Sequence, residues 1–437
     1  MTICKSKSLQ FPALNGKKIV AEFSGGNVSS DGGILLLQAM DRRLSLTQRI
    51  ARHIKDSRSP DSIRHTMLSM LRQRVYGLAC GYEDNNDHDQ LRYDLLFQTA
   101  SGSEKVLASS PTLHRFEKVA DRELAVVAHK EMIETFITSF SKAPKQLILD
   151  FDATDDLVHG NQEGRFYHGY YGNYCFLPLY VFCDKQLLVS YLRPSKIDGA
   201  RHAWAILALL VCRFRQEWPN VKIIFRGDSG FCRQKMLTWC ERHGVDYIIG
   251  IARNKVLEKA LEKSLNTAKE HRDASQKSAR VFESLMYQAG SWKTERRVIG
   301  KAEYTLFGSN PRFIVTTLKG NPRTLYEEMY CARGEMENRI KEQQGDLFSD
   351  RTSCTKWWPN QWRLILSSLA YILIERIRKI GLRRTSLARA TAGSIRLKLL
   401  KIGTVILRNT RRISLRMASG YPHQNLFTLL VHRLAPS

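Results

Sequence analysis

Several side chains capable of catalysis or phosphate binding recur at helical spacing late in the chain. Tyr330, Arg333, Glu337, Lys341 and Gln344 lie three, four, four and three residues apart, so a helix would carry all of them on one stripe. A stripe that faces the core would be apolar, whereas this one mixes an aromatic hydroxyl with charges of both signs. Such a mixture fits a helix face that lines a site for a metal ion and a phosphodiester. A row of intrahelical ion pairs is the alternative interpretation.

Two aspartates far upstream add carboxylates to that of Glu337. Asp152 and Asp228 each come just after a short apolar run. These runs predict buried strands, and ligands gather at the carboxyl ends of parallel strands in one sheet. The three carboxylates are therefore expected to hold Mg²⁺, which prefers oxygen ligands. Two such ions about 4 Å apart can activate an attacking oxygen and stabilise a leaving one. Asp150 is the alternative first carboxylate.

Positive charge dominates the composition. Lys and Arg number 68 against 42 Asp and Glu, so the formal net charge is +26. An excess of this size indicates a polyanionic partner, either nucleic acid or an anionic membrane surface. The longest apolar run, 364–374, is shorter than the roughly 20 residues that span a bilayer. The first residues lack the apolar core of a signal peptide, so we expect a cytoplasmic protein with no membrane partner.

The positive charge is concentrated near the end of the chain. After Glu375 the sequence has fourteen Lys and Arg residues and no acidic residue. A DNA phosphate backbone would relieve their repulsion, and a solvated face that aids solubility is the alternative. Apolar and basic residues alternate at 395–399 and at 413–417, which predicts half-buried strands with a basic outer face. The residues expected to contact DNA here are Arg383, Arg384, Arg396, Lys398, Lys401, Arg411 and Arg412.

Periodicity and composition divide the chain into three regions. They are a mainly helical DNA-binding or assembly region at 1–140, an α/β catalytic region at 141–375 and a basic DNA-contacting region at 376–437. In the first region, helix-start signals lie near Ile34, Pro60 and Pro111. In the second region, alternating strands and helices predict a mixed sheet, with a strand-rich insertion at about 255–320.

Three blocks resemble the catalytic motifs of insertion-sequence DDE transposases. They are Asp152-Ala153-Thr154, Asp228-Ser229-Gly230 and the stretch 330–341. The third block is similar to the Tyr-x2-Arg-x3-Glu-x6-Lys signature of insertion-sequence family four and its relatives, with Gln344 where that signature has its lysine. Further blocks resemble insertion-sequence family thirteen-eighty more narrowly. They are 81–84, 107–113, 159–164, 337–342 and the basic stretch 395–403.

The resemblance implies an α/β protein with an RNase H-like core and a β-rich insertion between the second aspartate and the glutamate. It also implies cut-and-paste movement of a bacterial DNA element by a nucleoid-associated homodimer. Such a transposase would bind terminal inverted repeats, cleave with two Mg²⁺ or Mn²⁺ ions and join the 3′-hydroxyl ends to double-stranded target DNA. Tyr330 and Arg333 would orient phosphate oxygens, and Lys341 would add a positive charge. Trp292 would stack on a flipped base.

Two other functions fit the same residues. The first is a metal-dependent DNA nuclease that cuts without joining, and strand-transfer products from a paired-end substrate would separate it from a transposase. The second is a recruited, non-catalytic DNA-binding protein. The presence of all three carboxylates favours an enzyme over that second function.

Overall fold

The computed structural model describes residues 8–435. Its strands are β1 Leu9–Leu14, β2 Lys17–Ala21, β3 Val28–Ser29, β4 Gln146–Ala153, β5 Asp156–Leu157, β6 Phe166–His168, β7 Asn173–Phe176, β8 Leu179–Cys183, β9 Gln186–Tyr191, β10 Lys222–Gly227, β11 Asp246–Ile251, β12 Ala279–Tyr287, β13 Arg296–Thr305, β14 Gly308–Ser309, β15 Arg312–Thr316, β16 Thr404–Arg408 and β17 Ile413–Met417. Its α-helices are α1 Ile34–Leu44, α2 Leu46–Ala51, α3 Met67–Cys80, α4 His88–Leu91, α5 Leu95–Ser101, α6 Ser110–Lys118, α7 Arg122–Ile137, α8 Ala203–Glu217, α9 Gln234–Arg242, α10 Lys255–Ala260, α11 Glu262–Ser275, α12 Pro322–Thr324, α13 Gly334–Lys341, α14 Trp357–Arg376, α15 Ala392–Ile395 and α16 Gln424–Leu434. Among the described residues, no helix combines the length and the apolar character needed to cross a bilayer.

The described residues fall into two compact units. The first unit comprises the described part of Met1–Ala120, the short stretch Asp346–Phe348 and the described part of Leu369–Ser437. The second unit comprises Asp121–Gly345 and Ser349–Ser368. The basic end of the chain therefore folds together with the N-terminal helices in the first unit.

Helix starts in the first unit follow the local signals with one exception. The helix α1 begins at Ile34, and α6 begins at Ser110 with Pro111 in its first turn, as the sequence predicts. The segment after Pro60 instead forms a single 3-10 turn, and α3 begins only at Met67. The hydroxyl of Thr66 accepts a hydrogen bond from the Ser69 backbone N–H at 3.1 Å, which fixes this later start.

The predicted strand at 395–399 is wrong, because the chain is helical there. The helix α15 ends at Ile395 and continues as a π-helical turn, Arg396–Leu400. Its buried apolar residues Ile395, Leu399 and Leu400 recur at helical spacing, and this pattern overrode the period-two alternation. The strand predicted at 413–417 is confirmed as β17, which pairs with β16, and β16 pairs in turn with β3.

The second unit is built on a nine-stranded sheet, which confirms the predicted mixed α/β architecture. Its order is β12-β13-β15-β11-β10-β4-β8-β9, with β14 paired to β13. The strands β4, β10 and β11 run parallel, and the other neighbours run antiparallel. A separate three-stranded sheet, in the order β5-β7-β6, belongs to the same unit.

Alternation along the central strands separates the two faces of the nine-stranded sheet. Leu149 and Phe151 on β4 pack with Phe225 on β10 in the larger apolar cluster, which helices α7, α8 and α9 also enter. Ile224 on β10 lies instead in a smaller cluster with Tyr326. Because side chains alternate between faces with period two, the even-numbered residues of β4 and β10 point toward the helical segment that contains Tyr326.

The strand-rich segment predicted as an insertion extends this same sheet. Antiparallel pairing of β11 with β15 adds β15, β13 and β12 at one side. Ile299 on β13 and Ile314 on β15 share the smaller apolar cluster with Ile224. Burying that continuous apolar face favours addition of the strands to the sheet over a separate body.

Candidate active site

The aspartates Asp152 and Asp228 lie side by side at the carboxyl ends of two parallel strands. The register of β4 and β10 pairs Asp150 with Arg226 and Phe151 with Gly227. Asp152 and Asp228 each come next along the chain, so the two strands deliver them to the same edge of the sheet. The period-two rule places both side chains on the face of the smaller apolar cluster.

Asp150 is engaged in a buried ion pair, which separates its role from that of Asp152. The Nε and Nη2 of Arg226 both donate to the Asp150 carboxylate, with Nη2 at 2.7 Å from Oδ2. Arg226 also donates through Nη1 to the backbone carbonyl of Met329, the residue before Tyr330. The pair therefore ties two strands to the start of the stripe, and Arg226 is a positioning residue that the sequence analysis did not identify.

The stripe lies on an irregular helical segment. It begins as α12, passes through a π-helical turn Leu325–Tyr330 and a 3-10 turn Cys331–Arg333, and continues as α13 and a second π-helical turn Glu342–Asp346. Irregular turns of this kind occur often at functional sites.

Arg333 contacts two of the three carboxylates. Its Nη1 lies 3.3 Å from Oδ2 of Asp152, and its Nη2 lies 2.5 Å from Oε1 of Glu337. The third carboxylate, that of Asp228, accepts a hydrogen bond from the Gly230 backbone N–H at 2.8 Å. One guanidinium therefore joins the strand edge to the helical segment.

Burial and the neighbouring charges shift the pKa values of the side chains in this cluster. The pKa of Asp152 is raised to about 7, mainly by burial; Arg333 opposes this shift, and the negative charges of Asp228 and Glu337 contribute to it. The pKa of Tyr330 is also raised by burial, and the carboxylate of Asp228 adds to this shift. The structure thus brings Asp152, Asp228, Glu337, Tyr330 and Arg333 into one electrostatic cluster.

Gly250 makes room for this cluster at the end of β11. A Cβ at this position would lie 2.6 Å from the Tyr330 hydroxyl and 2.9 Å from the Ser229 backbone nitrogen. Both distances are too short for a real contact, so only glycine fits between Tyr330 and the loop after Asp228. No local sequence pattern identifies Gly250, because its role depends on the pairing of β11 with β10.

A tyrosine from an aromatic, glycine-rich loop also reaches the cluster. The hydroxyl of Tyr171 donates to the backbone carbonyl of Ala153 at 3.5 Å. Burial raises the pKa of Tyr171 to about 12, with further contributions from the charges of Asp155 and Asp152. The aromatic, glycine-rich run 166–172 is the sequence signal for this loop, and by itself it indicates only a strand edge and a turn.

A comparison with protein-family models decides the family. Residues 11–437 match the model described as Transposase DDE domain group 1. The chain belongs to this family. A search of curated proteins finds no sequence that matches. Among solved structures, the chain is similar to a piggyBac transposase synaptic complex with hairpin DNA, at a TM-score of 0.41 and 10% identity over 80% of this chain and 76% of that one.

DDE transposases use divalent metal ions, and the oxygen donors of the cluster fit such ions chemically. In residues 8–435, however, no group of three His, Cys, Asp or Glu side chains lies at metal-binding spacing. Instead, the guanidinium of Arg333 contacts two of the three carboxylates, those of Asp152 and Glu337.

The last two positions of the stripe lie outside the cluster. The Lys341 side chain is exposed. Gln344, which stands where the family-four signature has its lysine, donates to the backbone carbonyl of Asp155 at 3.1 Å. Gln344 thus holds the loop after β4, whereas Lys341 is free to reach a phosphate.

Three of the residues expected to contact DNA are engaged inside the protein. Trp292 is only 5% exposed and lies in the larger apolar cluster with Arg296 against its ring, so the prediction that it stacks on a base does not agree with its burial. Arg396 donates to the backbone carbonyls of Leu78, Ala79 and Asp346.

Lys401 is also committed to contacts within the first unit. It forms an ion pair with Asp31 at 2.8 Å, and its ammonium group lies 4.0 Å from the centre of the Tyr82 ring. Arg396 and Lys401 therefore have partners within the first unit, and their contact with DNA stays a prediction. The other predicted tail contacts are exposed: Arg383, Arg384, Lys398, Arg411 and Arg412.

Proposed function

We propose that this chain catalyses cut-and-paste movement of a bacterial insertion sequence. It would bind the terminal inverted repeats, cleave phosphodiester bonds with two Mg²⁺ or Mn²⁺ ions and transfer the 3′-hydroxyl ends to target DNA. The observation that carries this proposal is the approach of Asp152, Asp228 and Glu337 from three distant parts of the sequence. Membership of the DDE transposase family supports it.

In this proposal the three carboxylates hold the metal ions. Bound divalent ions supply activation of the attacking oxygen and stabilisation of the leaving oxygen. Asp152 and Asp228 are presented by rigid strand ends, and Glu337 comes from α13, so the three groups are held by separate elements. Asp152 is preferred to Asp150 as the first acid because it lies at the strand end beside Asp228, whereas Asp150 lies two residues earlier in a buried pair with Arg226.

The neighbouring side chains orient the DNA in this proposal. Arg333 leaves the carboxylates when metal and DNA enter, and its planar guanidinium then donates to two phosphate oxygens. The Tyr330 hydroxyl, which Gly250 admits to the site, donates to a third oxygen. Lys341 supplies a further positive charge from its exposed position on α13.

The exposed tail residues would bind the DNA backbone in the same proposal. Arg383, Arg384, Lys398, Arg411 and Arg412 carry positive charge in a stretch without any carboxylate. Phosphate contacts of this kind position a protein without reading sequence. Two copies of the chain would hold the two ends of the element, as a homodimer in the cytoplasm.

Strand transfer is the experiment that tests this function. Purified protein is mixed with a precleaved duplex that carries the repeat flanking its gene, with a supercoiled target plasmid and with Mg²⁺ or Mn²⁺. We expect joined products from the wild type and none from Glu337→Ala, which should still bind the duplex. If the protein cleaves a matching uncut duplex but gives no joined product from the precleaved one, the result would instead indicate a nuclease.

A further inference from the structure

A large basic cleft lies within the helical part of the first unit. Its volume is about 940 Å³. The walls come from the segment 56–65, the first turn of α3, the loop 105–107 and one face of α6 along its length. Met70, Leu107 and Phe116 are buried at its base, so the cleft rests on ordered core rather than on mobile side chains.

The charged side chains that line the cleft are almost all basic. Its basic side chains are Arg58, Arg64, His65, Arg92, Lys105 and Arg115, and its one carboxylate is that of Asp56. Arg58 neutralises Asp56 through two hydrogen bonds of 2.7 and 2.6 Å. Within the described part of the chain, Arg64, Arg92, Lys105 and Arg115 have no carboxylate within ion-pair distance.

Arg92 is fixed in place and yet incompletely bonded. Its backbone carbonyl accepts hydrogen bonds from the Leu107 N–H at 3.0 Å and from the Gln98 side chain at 3.0 Å. Its Nε–H is buried without a hydrogen-bond partner among the described residues. A buried donor without a partner costs free energy.

The cleft also contains a histidine and several hydroxyl groups close to its cations. Burial lowers the pKa of His65, and the positive charges of Arg58, Arg92 and Arg64 lower it further. The Ser57 hydroxyl also lines the walls, as do the mutually hydrogen-bonded hydroxyls of Ser109 and Thr112, one of which keeps a free hydrogen to donate to an anion. The cleft therefore combines uncompensated cations with neutral donors, as phosphate-binding surfaces do.

We propose that this cleft binds the sugar–phosphate backbone of a DNA duplex, a role that rests on the proposed transposase function. Several cations along one cleft suit a polymer of regularly spaced phosphates. Each phosphate contact releases counterions, so binding should weaken steeply as salt rises. Backbone contacts carry no sequence information, so the cleft strengthens binding to the element end and to unrelated duplex alike.

The salt dependence of DNA binding tests whether this cleft contacts DNA phosphates. The triple variant Arg64→Ala, Lys105→Ala, Arg115→Ala is compared with the control Lys17→Ala, Lys18→Ala, Lys118→Ala, which removes the same charge from exposed positions outside the cleft. The affinity for end duplex and for unrelated duplex is measured by fluorescence anisotropy across a salt series. In the cleft variant, we expect the slope of log affinity against log salt to fall by about 0.9 for each phosphate that the cleft no longer binds.

The control variant should keep a slope close to that of the wild type. A wild-type slope in the cleft variant would overturn the cleft assignment, and so would an equal fall in the control. If the triple variant loses its helical circular dichroism, Arg64→Ala alone repeats the test at an exposed position. If the cleft variant shows the smaller salt slope but the wild type neither cuts nor joins DNA, the proposed transposase function is contradicted and the assignment of the cleft as a DNA-binding site is not.

Discussion

Asp150 and Asp152 lie on the same face of β4 but have different partners. Asp150 forms a buried pair with Arg226, whereas Asp152 lies in the carboxylate cluster with Arg333. Removing one member of a buried ion pair leaves the other charge uncompensated, at a cost of about 3–5 kcal/mol. We expect Asp150→Asn to lower the free energy of unfolding by about this amount.

Asp152→Asn should instead keep the stability of the protein and abolish its DNA cleavage. The pKa of this carboxyl is raised to about 7, well above its ordinary value, so folding disfavours the charged form and an amide removes that cost at neutral and alkaline pH. We expect no loss of stability at pH 8 and complete loss of DNA cleavage. Denaturant titration and a cleavage assay on both variants check this. Cleavage by Asp152→Asn, together with an inactive but stable Asp150→Asn, would assign the first acid to Asp150 instead.

We expect Arg333 and metal ions to compete for the carboxylates of Asp152 and Glu337, and this competition can be measured without DNA. Its guanidinium neutralises Asp152 and Glu337, so Arg333→Gln should bind Mn²⁺ more tightly than the wild type does in the absence of DNA. The free ion is measured by electron paramagnetic resonance. Arg323→Gln is the control, because Arg323 pairs with Glu327 at 2.8 Å on the same helical segment but away from the cluster. Equal Mn²⁺ affinity in Arg333→Gln and the wild type would contradict this role.

At the scale of elements, the packing of the stripe against β11 depends on Gly250. The Cβ of Gly250→Ala would collide with the Tyr330 hydroxyl and with the Ser229 backbone, so it should displace the helical segment or the loop after Asp228. Misplacing catalytic groups by about 1 Å can lower a rate by about a hundredfold. We expect a large loss of cleavage rate from Gly250→Ala. Gly290→Ala is the matched control, because its Cβ would have no heavy atom within 4 Å, and an equal loss there would contradict the argument.

The elements also indicate what the sequence can and cannot predict. Apolar runs that end in carboxylates correctly located β4 and β10, and the spacing of the stripe correctly located a helical segment. The roles of Arg226, Gly250 and Tyr171 depend on strand register and loop path, which no local pattern encodes. At 395–400 the alternation was misleading, since the burial of Leu399 and Leu400 together requires a helix.

At the scale of the whole molecule, the net charge of +26 should make DNA binding strongly salt-dependent. The structure divides the basic tail into exposed residues and residues with internal partners. Substituting Arg383, Arg384, Arg411 and Arg412 by Gln should reduce the salt slope while leaving the melting temperature unchanged. Arg396→Gln and Lys401→Gln should instead lower the melting temperature, because both side chains bond within the first unit. Anisotropy and thermal melts distinguish these outcomes, and a tail variant with the wild-type slope would contradict DNA contact by the tail.

Metal-dependent cleavage of the element end tests the central assignment most directly. The substrate is a duplex carrying the repeat that flanks the gene, and the proteins are the wild type and Asp228→Asn. The amide can still accept the hydrogen bond from the Gly230 N–H, so this variant should fold and bind DNA. We predict cuts at the repeat tip that require Mg²⁺ or Mn²⁺ and are absent in Asp228→Asn. Equal cleavage by both proteins would contradict the assignment of Asp152, Asp228 and Glu337 as the active site.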